Sequence, residues 1–261
     1  MNTAQAISLY GSENPYSDAE ARANSCYSGI VDGVLVRLLD WHKPDARLRM
    51  AHNAFQKVIS EDSYPCLGAK SVVARGSYRL GLYTYMGTAA ATRGLARDLC
   101  AFRAERPLIR GEFASYVAVF EGPQFQSELE FESALWSQLQ RLYDLDRDLH
   151  GWDRRVRADP GDPQFAYSFA GEAYFVVGLH LLSSRRARRF PWPALVFNAH
   201  TQFDELRERT IYDQFVRAIR TRDAAFQGTV NPMMNDFGTV SEARQYAGRA
   251  VPADWKCPFK P

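Results

Sequence analysis

The most constraining stretch of the chain is the run ALVF at residues 194–197, which is apolar without alternation. A strand with one solvated face alternates apolar and polar side chains, whereas a strand buried on both faces has an unbroken apolar run. Asn198-Ala199 then turns the chain. His200 follows, directly before Thr201-Gln202-Phe203-Asp204, a Thr-x-x-Asp sequence that predicts the capping-box start of a helix. A histidine at such a strand-to-helix corner is held firmly while its ring can face a cavity.

Composition bounds the class of protein. The chain has 261 residues, 46% of them hydrophobic and 24% charged, which is the balance of an ordinary globular domain. A net charge of +2 is too small to imply nucleic acid as a partner. No apolar stretch approaches the ~18 residues of a membrane span, and the first residues lack the basic start and apolar core of a signal peptide. We therefore expect a cytoplasmic protein with no membrane partner.

The four cysteines, Cys26, Cys66, Cys100 and Cys257, are widely separated and form no Cys-x-x-Cys pair. That spacing argues against a structural zinc site and against covalent haem attachment, which needs Cys-x-x-Cys-His. Reduced thiols are the expectation for a cytoplasmic protein.

Periodicity and turn chemistry predict one α+β domain over residues 21–261, a mixed sheet of a few buried strands covered by several helices. Residues 1–20 are polar and predict a loose N-terminal arm. The aromatic share of 13% suits either a well-filled core or a pocket for a flat apolar ligand. The predicted helices are 28–41, 44–59, 87–103 (N-cap Thr88), 127–142 (N-cap Ser127), 201–219 and a short one from Ser241; the predicted strands are 113–120, one within 164–182, and 194–197.

Two charged clusters each have two interpretations. The run RRARR at 185–189 is either a solvated loop or a clamp for carboxylates or phosphates, which suit arginine geometry. The segment 144–163 places His150 among aspartates that could bind a metal, but its four arginines favour a salt-bridged loop. No Gly-x-Ser-x-Gly, His-Glu-x-x-His or phosphate-binding loop sequence occurs.

Five short motifs in fixed order carry a resemblance to a known family. They are PCLGAKS at 65–71, HLLSSRRARRF at 180–190, FNAHTQF at 197–203, NPMMNDFG at 231–238 and WKCPF at 255–259. Together they resemble the YqcI/YcgG-like family over about residues 62–259. That family usually has Asn-Pro-His where this chain has Asn198-Ala199-His200, a change that keeps the histidine. Its members with known activity are haem-dependent N-hydroxylases, among them the arginine hydroxylase of D-cycloserine biosynthesis.

The resemblance implies a non-covalently bound haem b with a protein ligand to the iron. His200 is the expected axial ligand, because neutral imidazole is the usual one and its second nitrogen needs an acceptor. His180 and His150 are the reserve ligands, and a thiolate from Cys257 or Cys66 is the other option. The cofactor-binding candidates are Arg185, Arg188, Lys70 and Arg75, facing the haem propionates, together with Asn198.

The activity implied is N-hydroxylation of a small substrate, such as the guanidino group of L-arginine or a related amine. The oxidant would be O2 or peroxide, with an external electron donor, and a homodimer is possible. A cationic substrate needs polar partners, for which Asp236 and Asn235 are the catalytic candidates and Glu132 a further carboxylate. Two alternatives stay open: a haem-binding sensor or carrier without turnover, and a haem-free enzyme with an aromatic-lined substrate pocket.

Overall fold

A seven-stranded mixed sheet organises the protein in the computed structural model, which describes residues 14–209 and 212–261. The strand order is β2-β1-β3-β4-β7-β6-β5. Neighbours β3 and β4 are parallel, and the other adjacent pairs are antiparallel. The strands are β1 Ser28–Val31, β2 Val34–Arg37, β3 Tyr78–Tyr85, β4 Ser115–Gly122, β5 Tyr167–Phe169, β6 Glu172–Leu179 and β7 Ala194–Ala199.

Helices cover both faces of this sheet. They are α1 Ala19–Asn24, α2 Ala46–Ser60, α3 Leu67–Arg75, α4 Ala89–Glu105, α5 Glu128–Asp146, α6 Thr201–Glu208, α7 Tyr212–Gln227 and α8 Ala243–Tyr246, with 3₁₀ turns at Arg106–Leu108 and Arg186–Arg188. The predicted N-caps Thr88 and Ser127 are confirmed, since each side chain accepts a backbone N–H of the first turn. Within the described residues, no helix has the length and apolarity needed to cross a membrane.

The sheet separates two apolar layers. In β7, Leu195 and Phe197 pack into the layer of α4, α5 and the C-terminal tail, while Ala194 and Val196 pack into the layer of α2 and α3. β4 alternates in the same way, with Tyr116 on the first side and Val117 on the second. The expected α+β architecture with strands buried on both faces is therefore confirmed.

The helix predicted over 28–41 is wrong, because this segment is the β1–β2 hairpin. Asp32 and Gly33 connect the strands with φ values of 49° and 79°. Positive φ at both central residues defines the type I′ turn, whose twist matches that of the flanking strands and for which Asp-Gly is a preferred sequence. The turn chemistry therefore overrides an apolar spacing that also fits a helix.

The start of α6 also differs from the prediction. Thr201 is already helical, and His200 occupies the N-cap position with no side-chain capping bond. The predicted Thr201 capping box is wrong, because β7 ends at Ala199 and leaves one residue between strand and helix. The His200 side chain is thereby free to bond elsewhere.

Residues 1–13 of the predicted N-terminal arm lie outside the described residues. From residue 14 onwards the chain is anchored. Asn14 is buried and its Nδ2 donates to the carbonyl of Arg97 at 2.8 Å, and Tyr16 is buried with its hydroxyl bonded to Asp146.

A fully buried carboxylate, Asp98 of α4, secures the segment that enters β1. It accepts hydrogen bonds from the Ser25 hydroxyl, from the Cys26 N–H at 2.7 Å and from the Tyr83 hydroxyl at 2.7 Å. Removing a shared acceptor leaves each donor buried and unpaired, which costs more than the bonds themselves contribute.

We expect Asp98→Ala to lower the free energy of unfolding by about 2–4 kcal/mol, because three buried donors lose their acceptor. Urea denaturation measures this. Asp144→Ala, which removes an exposed carboxylate of α5, is the matched control and should change stability by less than about 0.5 kcal/mol. Equal effects of the two variants would contradict the role given to Asp98.

Candidate functional site

A cavity of about 270 Å³ lies between the sheet and the α2–α3 layer. Strands β4, β6 and β7 form its floor, and α2, α3, α6, α7, α8 and the loop at 231–237 form its walls. Most of the lining is apolar, and it includes six phenylalanines: Phe55, Phe113, Phe175, Phe203, Phe215 and Phe237. Apolar walls with a few polar groups are typical of small-molecule sites.

His200 lines this cavity at the end of β7. The residue is only 4% exposed, its N–H donates to the Ala173 carbonyl at 2.9 Å, and its ring meets Phe237 edge-on at 4.9 Å. Its Nε2 lies 2.9 Å from Oε2 of Glu242. Within residues 14–209 and 212–261, Nδ1 has no hydrogen-bond partner. The imidazole therefore has one nitrogen held by a carboxylate and one available to a ligand.

Glu242, at the N-cap position of α8, is itself held in place. Its Oε1 bonds to the Tyr246 hydroxyl, which also accepts the Tyr167 N–H at 3.1 Å. Glu242 and Tyr246 are both buried. A chain from β5 through α8 to His200 therefore fixes the orientation of the ring, the arrangement that second-shell carboxylates give to metal-ligating histidines.

Sequence reasoning predicted that His200 needs an acceptor but did not identify Glu242. The two residues are 42 positions apart, and only the docking of α8 against β6 brings them together. The sequence does mark this place with a predicted helix start at Ser241, but a helix start does not identify the partner of His200.

Of the other predicted residues, Arg185, Arg188, Asn198, Asn235 and Asp236 also line the cavity. Each of them already has partners in the protein. Asn198 accepts the Ser115 hydroxyl at 2.7 Å, and Asn235 donates to the carbonyl of Met233 at 3.3 Å. Asp236 lies 3.2 Å from Arg220, and its side chain is 54% exposed. The structure thus places His200, Asn235 and Asp236 around the same cavity.

Arg185 is neutralised by an ion pair. Its Nη2 lies 2.5 Å from Asp223 and also donates to the Thr229 carbonyl at 2.9 Å. Arg207, a lining residue that sequence reasoning missed, pairs with Asp204 at 2.7 Å and stacks on Tyr212. Arg188 instead donates to carbonyl groups.

The remaining basic candidates lie outside the cavity. Lys70 donates to the Glu61 carbonyl at 2.6 Å, and Arg75 is exposed in the last turn of α3. The cationic character of this stretch therefore belongs to the exterior of α3, while its inward residues, Gly68 and Ala69, line the cavity.

The reserve histidines are also placed elsewhere. His180 stacks on Phe131 of α5 at 4.2 Å between centroids, on the other side of the sheet. Its burial lowers its pKa, so the ring stays neutral. His150 lies 2.8 Å from Asp146 and 3.2 Å from the Tyr16 hydroxyl, at a distance from the cavity.

Neither Cys257 nor Glu132 approaches His200. Cys257 packs against the α5 layer, where burial raises the pKa of its thiol to about 12. Glu132 forms an ion pair with Arg249 at 2.5 Å. Cys66 does line the cavity, as the N-cap of α3, but burial raises its pKa and keeps it a thiol. No group of three metal-ligating side chains occurs in the described part of the chain.

These features define an α+β protein with an aromatic-lined cavity, a carboxylate-oriented histidine and one face of a mixed sheet as the floor. The chain belongs to the YqcI/YcgG family, whose model matches residues 55–260, and the expected family is thereby confirmed. His200, Glu242 and the cavity walls from Phe55 onwards all lie within the matched region.

Two relatives come from Bacillus subtilis (strain 168). The chain is 28% identical over 226 residues to "Uncharacterized protein YcgG", covering 81% of this chain and 87% of the relative. It is 28% identical over 146 residues to "Uncharacterized protein YqcI", covering 52% and 56% respectively. No solved structure matches the chain.

We expect neutral His200 to carry its proton on Nε2, because the Glu242 carboxylate accepts only. Nitrogen-15 NMR of the imidazole measures the tautomer. Glu242→Leu should give mixed tautomers, and Glu242→Gln, whose amide oxygen can still accept, should largely restore the wild-type signal. A wild-type ring protonated on Nδ1 would contradict the assignment.

Proposed function

We propose that this protein is a haem-dependent oxygenase that N-hydroxylates a small nitrogen-containing substrate, such as the guanidino group of L-arginine or a related amine or amino acid. O2 or peroxide would be the oxidant, with an external electron donor, in the cytoplasm. The observation that carries the proposal is the imidazole of His200, which lines the cavity with Nε2 bonded to Glu242 and with Nδ1 unbonded among the described residues. The family resemblance supplies the reaction class.

The residues of the cavity fit a histidine-ligated haem in their chemistry. Nδ1 of His200 would be the ligand that the protein gives to the haem iron. Glu242 would raise the basicity of that donor and hold its plane. The phenylalanine walls suit an apolar macrocycle, and a cationic side chain in the lining suits its carboxylates.

When bound, haem would supply the oxygen-activating chemistry that transfers one oxygen atom to the substrate nitrogen. The protein would contribute to the reaction by excluding water with the apolar walls of the cavity and by holding the substrate nitrogen in position. Asp236, at the half-exposed edge of the cavity, would accept hydrogen bonds from a guanidinium group in place of its partner Arg220. Asn235 beside it offers a further polar side chain.

A second function is favoured by one observation, the size of the cavity. A volume of about 270 Å³ is near the lower end of ligand pockets, about 300–1,000 Å³, and suits a small organic molecule by itself. The chain would then be a haem-free enzyme. The third hypothesis is a haem sensor or carrier. It differs from the proposed oxygenase because it would bind haem without forming a product.

Haem titration followed by its absorption spectrum tests the cofactor. We expect a Soret band in the wild type that is lost or shifted in His200→Ala, because the axial donor is removed. His150→Ala is the matched control: that histidine lies in the α5 layer, and its variant should bind haem as the wild type does. A wild type without a Soret band would refute the haem proposal and favour the haem-free enzyme.

Steady-state turnover tests the reaction. With haem, reductant and L-arginine or agmatine, we expect a hydroxylated product, and about a tenfold lower kcat/KM in Asp236→Asn, which loses a charge-assisted hydrogen bond. Asp213→Asn, at an exposed position of α7, should leave kcat/KM unchanged. Haem binding without product from any guanidine or amine would favour the sensor or carrier.

A further inference from the structure

One cationic side chain of the cavity has no anionic partner. Arg188 lies in the 3₁₀ turn between β6 and β7, and within the described residues no aspartate or glutamate forms an ion pair with it. Its guanidinium donates to three carbonyls, those of Gly178 at 3.1 Å, Tyr246 at 3.3 Å and Gln245 at 3.3 Å. Carbonyl dipoles position the group but do not cancel its charge.

The position of Arg188 is fixed by the surrounding backbone. Its carbonyl accepts the His180 N–H at 3.1 Å, and its N–H donates to the Arg185 carbonyl at 2.9 Å. Its side chain packs along Gly248, where an added Cβ would lie 3.2 Å from Cγ of Arg188. The Arg188 side chain is therefore held beside the cavity and does not extend freely into solvent.

The other arginines of the cavity each form an ion pair. Arg185 is paired with Asp223 and Arg207 with Asp204. A fourth arginine at the rim, Arg220, pairs with Asp236. Among the described residues, Arg188 is therefore the arginine of the cavity lining that has no ion-pair partner.

Arg188 is half-buried, and its partial burial adds a desolvation cost to the charge. Desolvation lowers the pKa of Arg188, yet an arginine stays protonated in a protein, so the charge persists. A partly desolvated charge without an ion pair is less well stabilised than one in water, and a bound anion offsets that cost. Arginine has five N–H donors, and the three carbonyls leave two, enough for the paired bonds that a carboxylate accepts.

We propose that Arg188 anchors a carboxylate group of the molecule that occupies the cavity. This proposal rests on the proposed function for the identity of that molecule. The carboxylate would be either a haem propionate or the α-carboxylate of an amino-acid substrate. Arg185, being neutralised by Asp223, has no such role.

Paired probes test the proposal by comparing each acid with its neutralised analogue. Affinities are measured for haem and haem dimethyl ester, and for L-arginine and agmatine, which lacks the carboxylate. The proteins are the wild type, Arg188→Met, Arg188→Lys, and the control Arg189→Met, which removes an exposed neighbouring charge. Each variant's thermal unfolding shows that it is folded.

We expect the wild type to bind one acid at least about tenfold more tightly than its analogue. Arg188→Met should abolish this preference, Arg188→Lys should keep part of it because one point charge remains, and Arg189→Met should keep all of it. The pair that shows the preference identifies the source of the carboxylate.

The inference is overturned if Arg188→Met retains the preference, if the wild type shows none, or if no acid binds. Should the arginine pair show the preference without any haem binding, the haem proposal fails while the role of Arg188 stands. Should Arg188→Met be unfolded, Arg188→Lys decides: its full retention of the preference would also overturn the bidentate anchor.

Discussion

Burial of the central strands on both faces is the constraint on which the rest of the structure depends. With apolar side chains alternating to both sides of β4 and β7, each face needs its own cover. One layer is packed by α4, α5, α8 and the C-terminal tail, where Trp136, Phe165 and Phe259 fill the space. The other layer is packed by α2 and α3 and contains the cavity. One face of the sheet is thus fully packed, and the other face has a cavity that could hold a small molecule.

Polar groups inside this apolar cavity are almost all compensated within the protein. His200 is bonded to Glu242, and Arg185 to Asp223. Buried charges cost little only when they are paired, which is why these side chains lie at the ends of β-strands and in the loops around them, where partners from other elements can reach. Among the described residues of the cavity, the Nδ1 atom of His200 and the guanidinium of Arg188 keep spare hydrogen-bonding capacity. They line the same cavity and differ in character, because one is a nitrogen that can bind a ligand and the other is a cation.

Much of the fold could be predicted from local pattern. Thr88 and Ser127 mark helix starts because a side-chain oxygen satisfies a free N–H, whatever the tertiary structure. The hairpin at Asp32-Gly33 is not evident from apolar spacing, because the spacing over 28–41 fits a helix while the turn chemistry favours a hairpin. The site was predictable in part: the corner histidine stands out, but its partner Glu242 does not. Likewise Lys70 and Arg185 look equivalent as sequence, although one points outward and the other lies buried against Asp223.

By itself the sequence determined the family, the α+β class, a β7 strand buried on both faces, and His200 at its end. These follow from composition, short motifs and periodicities that act over a few residues. The tertiary structure alone decided which charges are neutralised and which nitrogen of His200 is free. Hydrogen bonds and ion pairs form between atoms a few ångströms apart, and here they join residues that the chain separates by 42 positions in the His200–Glu242 pair and by 117 in the Glu132–Arg249 pair. No local pattern carries that information, because it is created by the docking of α8 against β6 and of α7 against the 3₁₀ turn Arg186–Arg188.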